Sequence, residues 1–168
     1  MSSTDVLIDG FDRVREVVHE AVDGLHLDDL TYRVDGTANS ISWLVWHLTR
    51  VQDDHVAEAA GLEQVWTSKG YVAKFGLPFA PSATGYGDGA DEVAAVRAEG
   101  ELLVAYHDAV FEQTVDYVKS LTDDDLPRIV DNRWDPPVTL GVRLVSVISD
   151  DLQHAGQAAF IRGLVSRR

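Results

Sequence analysis

Apolar residues recur at three- and four-residue steps through four long stretches of this chain, a spacing that suits helices burying one face. Phe11, Val14, Val18, Ala21, Val22 and Leu25 mark a first helix from about Thr4 to Gly24. Asn39 and Ser40 are capping residues that open a second, which runs to about Ala60 and stops at Gly61. A third extends from about Asp91 to Ser120, where Val93, Val96, Leu103, Val110 and Tyr117 come close to a seven-residue recurrence. A fourth follows Pro136 and Pro137, from near Thr139 to near Val165. With 168 residues, 45% of them hydrophobic, the chain is long enough to bury a sizeable core. The pattern predicts one all-α domain over residues 1–168, built as a four-helix bundle.

The connectors carry their own information. Leu25-His26-Leu27-Asp28-Asp29-Leu30 with Val34-Asp35 echoes Leu121-Thr122-Asp123-Asp124-Asp125-Leu126 with Val130-Asp131, which suggests two related helical hairpins packed face to face. Between them, residues 61–90 are rich in glycine, proline and aromatics, including Trp66, Tyr71, Phe75, Phe79 and Tyr86. A connection of that length allows a crossover along the bundle. Its aromatics serve either as a lid over a pocket or simply as anchors for a long loop.

Charge narrows the partners. A formal net charge of -14, from 28 acidic against 14 basic residues, repels a phosphate backbone, and no basic patch offsets it. Nucleic-acid binding is therefore not expected. The amino terminus has no signal-peptide pattern, and no apolar run approaches the ~18 residues needed to span a bilayer, so a cytoplasmic protein without membrane contact is expected. There are no cysteines, which excludes thiolate metal sites and a protein-borne thiol nucleophile.

Asp150 and His154 stand four apart on the fourth helix, so a carboxylate and an imidazole converge on one face. His47, in the strongly apolar Ser42-Trp43-Leu44-Val45-Trp46-His47-Leu48, is the candidate third ligand. Two histidines and one carboxylate suit zinc or a similar divalent ion and leave positions open for water or substrate. The competing reading is a structural ion pair between Asp150 and Arg143 or Arg50. Asp54, seven residues after His47, is placed to orient a ligand or water, and Gln157 to hydrogen-bond a substrate. Asp53, Asp151 and His55 read as surface residues, and His19, His26 and His107 have no partner at useful spacing. No phosphate-binding loop, nucleophile elbow or dinucleotide fingerprint is present.

The segment Asn39-Ser40-Ile41-Ser42-Trp43-Leu44-Val45-Trp46-His47-Leu48, followed by Arg50-Val51-Gln52-Asp53-Asp54, resembles the second helix of the DinB/YfiT-like superfamily. His154-Ala155-Gly156-Gln157 resembles its fourth. The resemblance covers nearly the whole chain. It implies a four-helix bundle with a long crossover between the second and third helices, and His47, Asp150 and His154 as both metal ligands and catalytic centre. Many relatives carry histidine where Asp150 stands; the mycothiol-dependent maleylpyruvate isomerases carry a carboxylate there. Overall length, Trp-His-Leu-Thr-Arg and the aromatic crossover are most similar to the mycothiol S-transferase branch, and the additional C-terminal domain of the isomerases is not seen. The implied activity is conjugation of a low-molecular-weight thiol, mycothiol, to small electrophiles in detoxification. Zinc is the first choice of metal, with nickel, manganese or iron as alternatives, and Arg50, Asp54 and Gln157 bind the cosubstrate. The alternatives are a metal-dependent isomerase or hydrolase on the same ligands, or a non-catalytic binding protein. A homodimer is expected.

Overall fold

A computed structural model describes residues 2–168. Four long helices dominate: α1 (Ser3–Val22), α3 (Ile41–Ala60), α7 (Gly100–Lys119) and α8 (Leu140–Val165). Between them lie the one-turn helix α2 (Leu27–Leu30) and three short helices of the crossover, α4 (Val65–Ser68), α5 (Tyr71–Phe75) and α6 (Ala90–Ala95). A small antiparallel hairpin, β1 (Ile129–Asp131) and β2 (Val138–Thr139), precedes α8. None of the described helices is long and apolar enough to cross a membrane.

Helix ends follow the capping chemistry. The Ser40 hydroxyl accepts from the Trp43 amide, Thr139 does the same for Val142, and Gly61 closes α3 in the left-handed region at φ 68°. The third helix departs from expectation. It is not continuous from Asp91 but breaks between Ala95 and Gly100. Ser42, buried on α3, donates to the Ala98 carbonyl and accepts from the Ala98 amide, which takes that backbone out of helical pairing. At Gly100 a Cβ would lie 2.7 Å from Val22 Cγ1, so α7 can start against α1 only with glycine there.

The two-hairpin expectation is also corrected. The acidic connectors do resemble each other locally, as α2 and a 3-10 turn at Asp123–Asp125. The helices they join, however, lie diagonally across the bundle: α1 packs on α7 and α8, and α3 packs on the same two. Both connectors are long enough to span an end of the bundle, so consecutive helices need not be neighbours. Contacts Gly10 to Ile148 and Asp23 to Arg162 run α1 and α8 parallel. Ser42 to Ala98 and Gln52 to Thr114 run α3 and α7 parallel. The chain must therefore return along the bundle between α3 and α7, which explains the length of the crossover. Most of its aromatics are anchors: Trp66, Tyr71 and Phe75 pack around Tyr106, and Trp46 packs on Trp66 and Phe79.

The core holds one imidazole that makes no hydrogen bond, His107, fully buried on α7. Burial pushes its pKa down to about 4. An unfolded chain protonates this histidine near the ordinary value of ~6.5 and the folded chain does not, so folding stability falls as pH drops from there toward 4. His107→Leu removes that dependence. Denaturant titrations are expected to show the variant gaining on the parent by roughly 2 kcal/mol between pH 7 and pH 5; an unchanged difference would contradict the assignment.

Candidate metal centre and cleft

Antiparallel packing of α3 on α8 brings His47 opposite Asp150 and His154. One ligand atom from each of the three lies within 4.8 Å of the others. The imidazole centroids are 4.9 Å apart, and His47 stacks on Trp43 at 4.6 Å with an interplanar angle of 15°.

Hydrogen bonding decides what these side chains present. His47 Nδ1 lies 2.6 Å from the Thr84 carbonyl, which only accepts, so Nδ1 carries the proton and Nε2 keeps its lone pair. His154 Nδ1 is 3.2 Å from Gln157 Oε1, an acceptor that matches the same tautomer. His154 Nε2 then stands 3.7 Å from Asp150 Oδ2, a buried oxygen with no hydrogen-bond partner. Burial holds the pKa of His47 below the ordinary value, against the raising effect of its bond to Thr84, and keeps the ring neutral. The imidazoles of His47 and His154 and the unpartnered Asp150 oxygen form a donor set suited to a divalent cation.

The ion-pair alternative is not realised. Arg143 is spent on Asp131 Oδ2 at 2.8 Å and on His55 Nδ1 at 2.7 Å. Arg50 lies wholly inside the bundle and bonds the Ala83 carbonyl and Gln64 Oε1, with Asp53 Oδ2 at 3.6 Å. Among the described residues no lysine or arginine pairs with Asp150.

Arg50 therefore does not meet a cosubstrate, contrary to the sequence expectation. With Trp43 and His47 it forms a row of three donors, spaced four and three along α3, that grips the last part of the crossover: Trp43 Nε1 donates to Asp88, His47 to Thr84 and Arg50 to Ala83. Gly85 sits inside this grip at φ +90°, where a Cβ would lie 2.7 Å from His47 Nδ1. Asp54 lines the outer cleft and accepts from Gln64. Gln157 faces a groove on the other side of α8 and reaches the centre only through His154. The surface reading of Asp53 and Asp151 is overturned. Asp53 is buried and accepts from the Val65 and Trp66 amides and the Tyr106 hydroxyl, and Asp151 is enclosed in the core.

A cleft of about 430 Å³ opens from His47 and Asp150, walled by Val51, His55, Tyr86 and Trp134. It continues into an outer space of about 660 Å³ that adds Asp54, Thr84, Asp131 and Arg133. His55 accepts from Arg143 through Nδ1, so its proton sits on Nε2, opposite to His47. Burial first, and the Arg143 guanidinium second, push its pKa down. The contribution of Arg143 was legible in principle, because Arg143, Val147, Asp150 and His154 recur at helical spacing on one face of α8. Tyr86 and Trp134 stand in irregular loops, where no periodicity marks them.

A two-histidine, one-carboxylate cluster between facing helices, beside a crossover-walled cleft, defines an all-α bundle of the DinB-like type. A solved structure described as the conserved protein of a locus from Enterococcus faecalis superposes with a TM-score of 0.92 at 30% identity, covering 100% of this chain and 99% of that one. No curated protein matches. The family model for mycothiol S-transferase matches residues 6–166, and the chain belongs to that family.

Gly85→Ala is expected to push the Thr84 carbonyl off His47 while leaving the bundle helical by circular dichroism. Calorimetric titration with zinc should show affinity reduced by roughly 10–100-fold, the usual cost of losing an outer partner of a metal-bound histidine. Parent-like affinity would show that the loop does not orient the imidazole.

Proposed function

We propose that this protein is a divalent-metal-dependent S-transferase that joins a low-molecular-weight thiol, mycothiol, to small electrophiles in detoxification. The observation that carries the reading is the convergence of His47, Asp150 and His154, whose ligand atoms lie within 4.8 Å of one another, with His47 and Asp150 at the head of the cleft and one Asp150 oxygen unpartnered. Membership of the mycothiol S-transferase family supports the thiol and the transfer chemistry.

His47, Asp150 and His154 would hold the metal, zinc as first choice. When bound there, a divalent cation lowers the pKa of a coordinated thiol and favours the thiolate near neutral pH. The chain has no cysteine, so the sulfur nucleophile comes from the cosubstrate. Thr84 and Gln157 keep both imidazoles in the ligating tautomer. The cosubstrate sulfur loses its proton to solvent, its electron pair forms the new bond to the electrophilic carbon, and the leaving group departs with the electrons of the broken bond. His55 offers an N–H, and Asp54 an acceptor, to polar groups of the cosubstrate along the cleft. Trp134 and Tyr86, residues 66% and 94% exposed, supply apolar surface at its mouth.

A bimane probe assayed with mycothiol, bacillithiol or glutathione tests the reading. Conjugation is expected with mycothiol, to be lost on dialysis against a chelator and restored by zinc. His47→Ala and His154→Ala should each lower metal occupancy and reduce turnover by more than the ~10–100-fold typical of an outer partner, with helical content unchanged. Metal-dependent turnover by water alone would indicate a hydrolase, rearrangement of substrate an isomerase, and metal binding without turnover a binding protein.

A further inference from the structure

Arg143 fixes the proton of His55. The imidazole Nδ1 accepts from Arg143 Nη1 at 2.7 Å, and a guanidinium only donates, so the ring proton is confined to Nε2. That nitrogen has no partner among the described residues, and His55 lines both the inner cavity beside His47 and Asp150 and the outer one. The arginine is itself held in place: its Nη2 donates to Asp131 Oδ2 at 2.8 Å, and the Arg133 side chain bonds both oxygens of the same carboxylate. Asp54 Oδ2 stands 3.9 Å from His55 Nδ1, and Gln64 donates to Asp54 Oδ1, so neither claims Nε2. A neutral imidazole backed by a permanent positive charge is a strengthened donor at its other nitrogen, because polarisation passes along the chain of bonds.

Position along α3 gives this donor its meaning. His55 follows His47 by eight residues, a rise of ~12 Å, and Val51 lies midway on the same cleft wall. Val138, Val142 and Val147 add to the apolar lining of the inner cavity. A sulfur nucleophile delivered at the His47 end is therefore separated from the donor by the length of a small molecule. In displacement at a saturated carbon, charge develops on the atom that leaves the attacked carbon. In addition to a conjugated carbonyl it develops on an oxygen at the far end of the conjugated chain. The second case carries charge away from sulfur, in the direction of His55.

We propose that His55 is a catalytic residue whose Nε2 proton bonds the carbonyl oxygen of an α,β-unsaturated ketone or aldehyde, and that such electrophiles are the class this cleft conjugates. The inference rests on the transferase reading and names the electrophile for the same site. In the thiol complex the N–H is open to the cosubstrate; when the electrophile enters, its carbonyl oxygen takes that bond. The thiolate pair forms the bond from sulfur to the β-carbon. The alkene π pair becomes a new double bond between the α-carbon and the carbonyl carbon, and the carbonyl π pair moves onto oxygen, where the N–H meets the charge. Water then protonates the α-carbon, the oxygen pair restores the carbonyl, and the hydroxide left behind takes up the proton that the thiol released. No group departs, and there is no net oxidation.

The test compares two electrophiles with mycothiol and the zinc-loaded protein: the aryl enone benzylideneacetone, and bromobimane, from which bromide leaves a saturated carbon. Whatever His55 contributes to holding the thiol affects both reactions alike and cancels in their ratio. His55→Leu is expected to lower the enone-to-bimane ratio of kcat/KM by ~100-fold or more, the cost of losing one donor to a developing oxyanion. His55→Gln, whose amide can accept from Arg143 and donate to the carbonyl, should recover most of that ratio. Heteronuclear NMR of the imidazole rings in the metal-free parent is expected to show His55 in the Nε2–H form. An unchanged ratio in His55→Leu, or a parent that conjugates bimane and not the enone, overturns the inference and leaves the transferase reading standing. His55 carrying its proton on Nδ1 overturns it as well, whether or not the leucine variant folds. A parent that conjugates neither electrophile with mycothiol, bacillithiol or glutathione removes both.

Discussion

The hydrogen bond from His47 Nδ1 to the Thr84 carbonyl joins the two halves of this structure, the helical frame and the long crossover. On the helical side it selects the tautomer that aims a lone pair at Asp150 and His154. On the loop side it holds the backbone that carries Gly85 and Tyr86 into the cleft wall. Its geometry is backed from below by Arg50, which grips Ala83 from inside the core, and from above by Trp43, which stacks on the ring and reaches Asp88. A charged group with no solvent contact is costly unless it is well bonded. Arg50 bonds the Ala83 carbonyl, Gln64 and Tyr106 through Nε and Nη1 and lies over the Trp66 ring, so the same guanidinium holds both the loop and the core, although its Nη2 makes no hydrogen bond.

Arg50, Asp53 and Tyr106 are mutually bonded and tie the crossover to α3 and α7; Asp53 also receives the first amides of α4. Asp150 Oδ2 is one of several buried polar atoms without a partner, both oxygens of Asp151 among the others, and it is the one that lies beside two imidazoles. Native cores rarely leave polar atoms unsatisfied without cause. At Asp150 the deficit coincides with a converging set of side chains that could hold a metal ion.

The helices were legible because amphipathic periodicity and capping are local: Ser40, Gly61 and Thr139 act within a turn of their own positions. The trio His47, Asp150 and His154 was legible for a related reason. A four-residue spacing settles the pair on α8, and the motif resemblance supplied its partner on α3. The break before Gly100 was not legible, because it depends on Ser42 from another helix. Arg50 was misplaced for the same reason. Spacing shows which face of a helix a residue occupies and leaves open whether that face meets solvent, substrate or a folded-back loop.

The amino-acid sequence by itself determined four amphipathic helices, a chain without thiol chemistry of its own, and a carboxylate-imidazole pair on the last helix. These depend on residue type and on contacts a few positions apart. Only the tertiary structure decided that α1 and α3 lie diagonally, that α7 runs parallel to α3, and that Tyr86, Trp134, His55 and Arg143 share one cleft with His47 and Asp150. Those facts depend on contacts between residues far apart in the chain, whose selection is made by the collective burial of apolar faces and the pairing of buried polar groups, and neither is written in any local pattern.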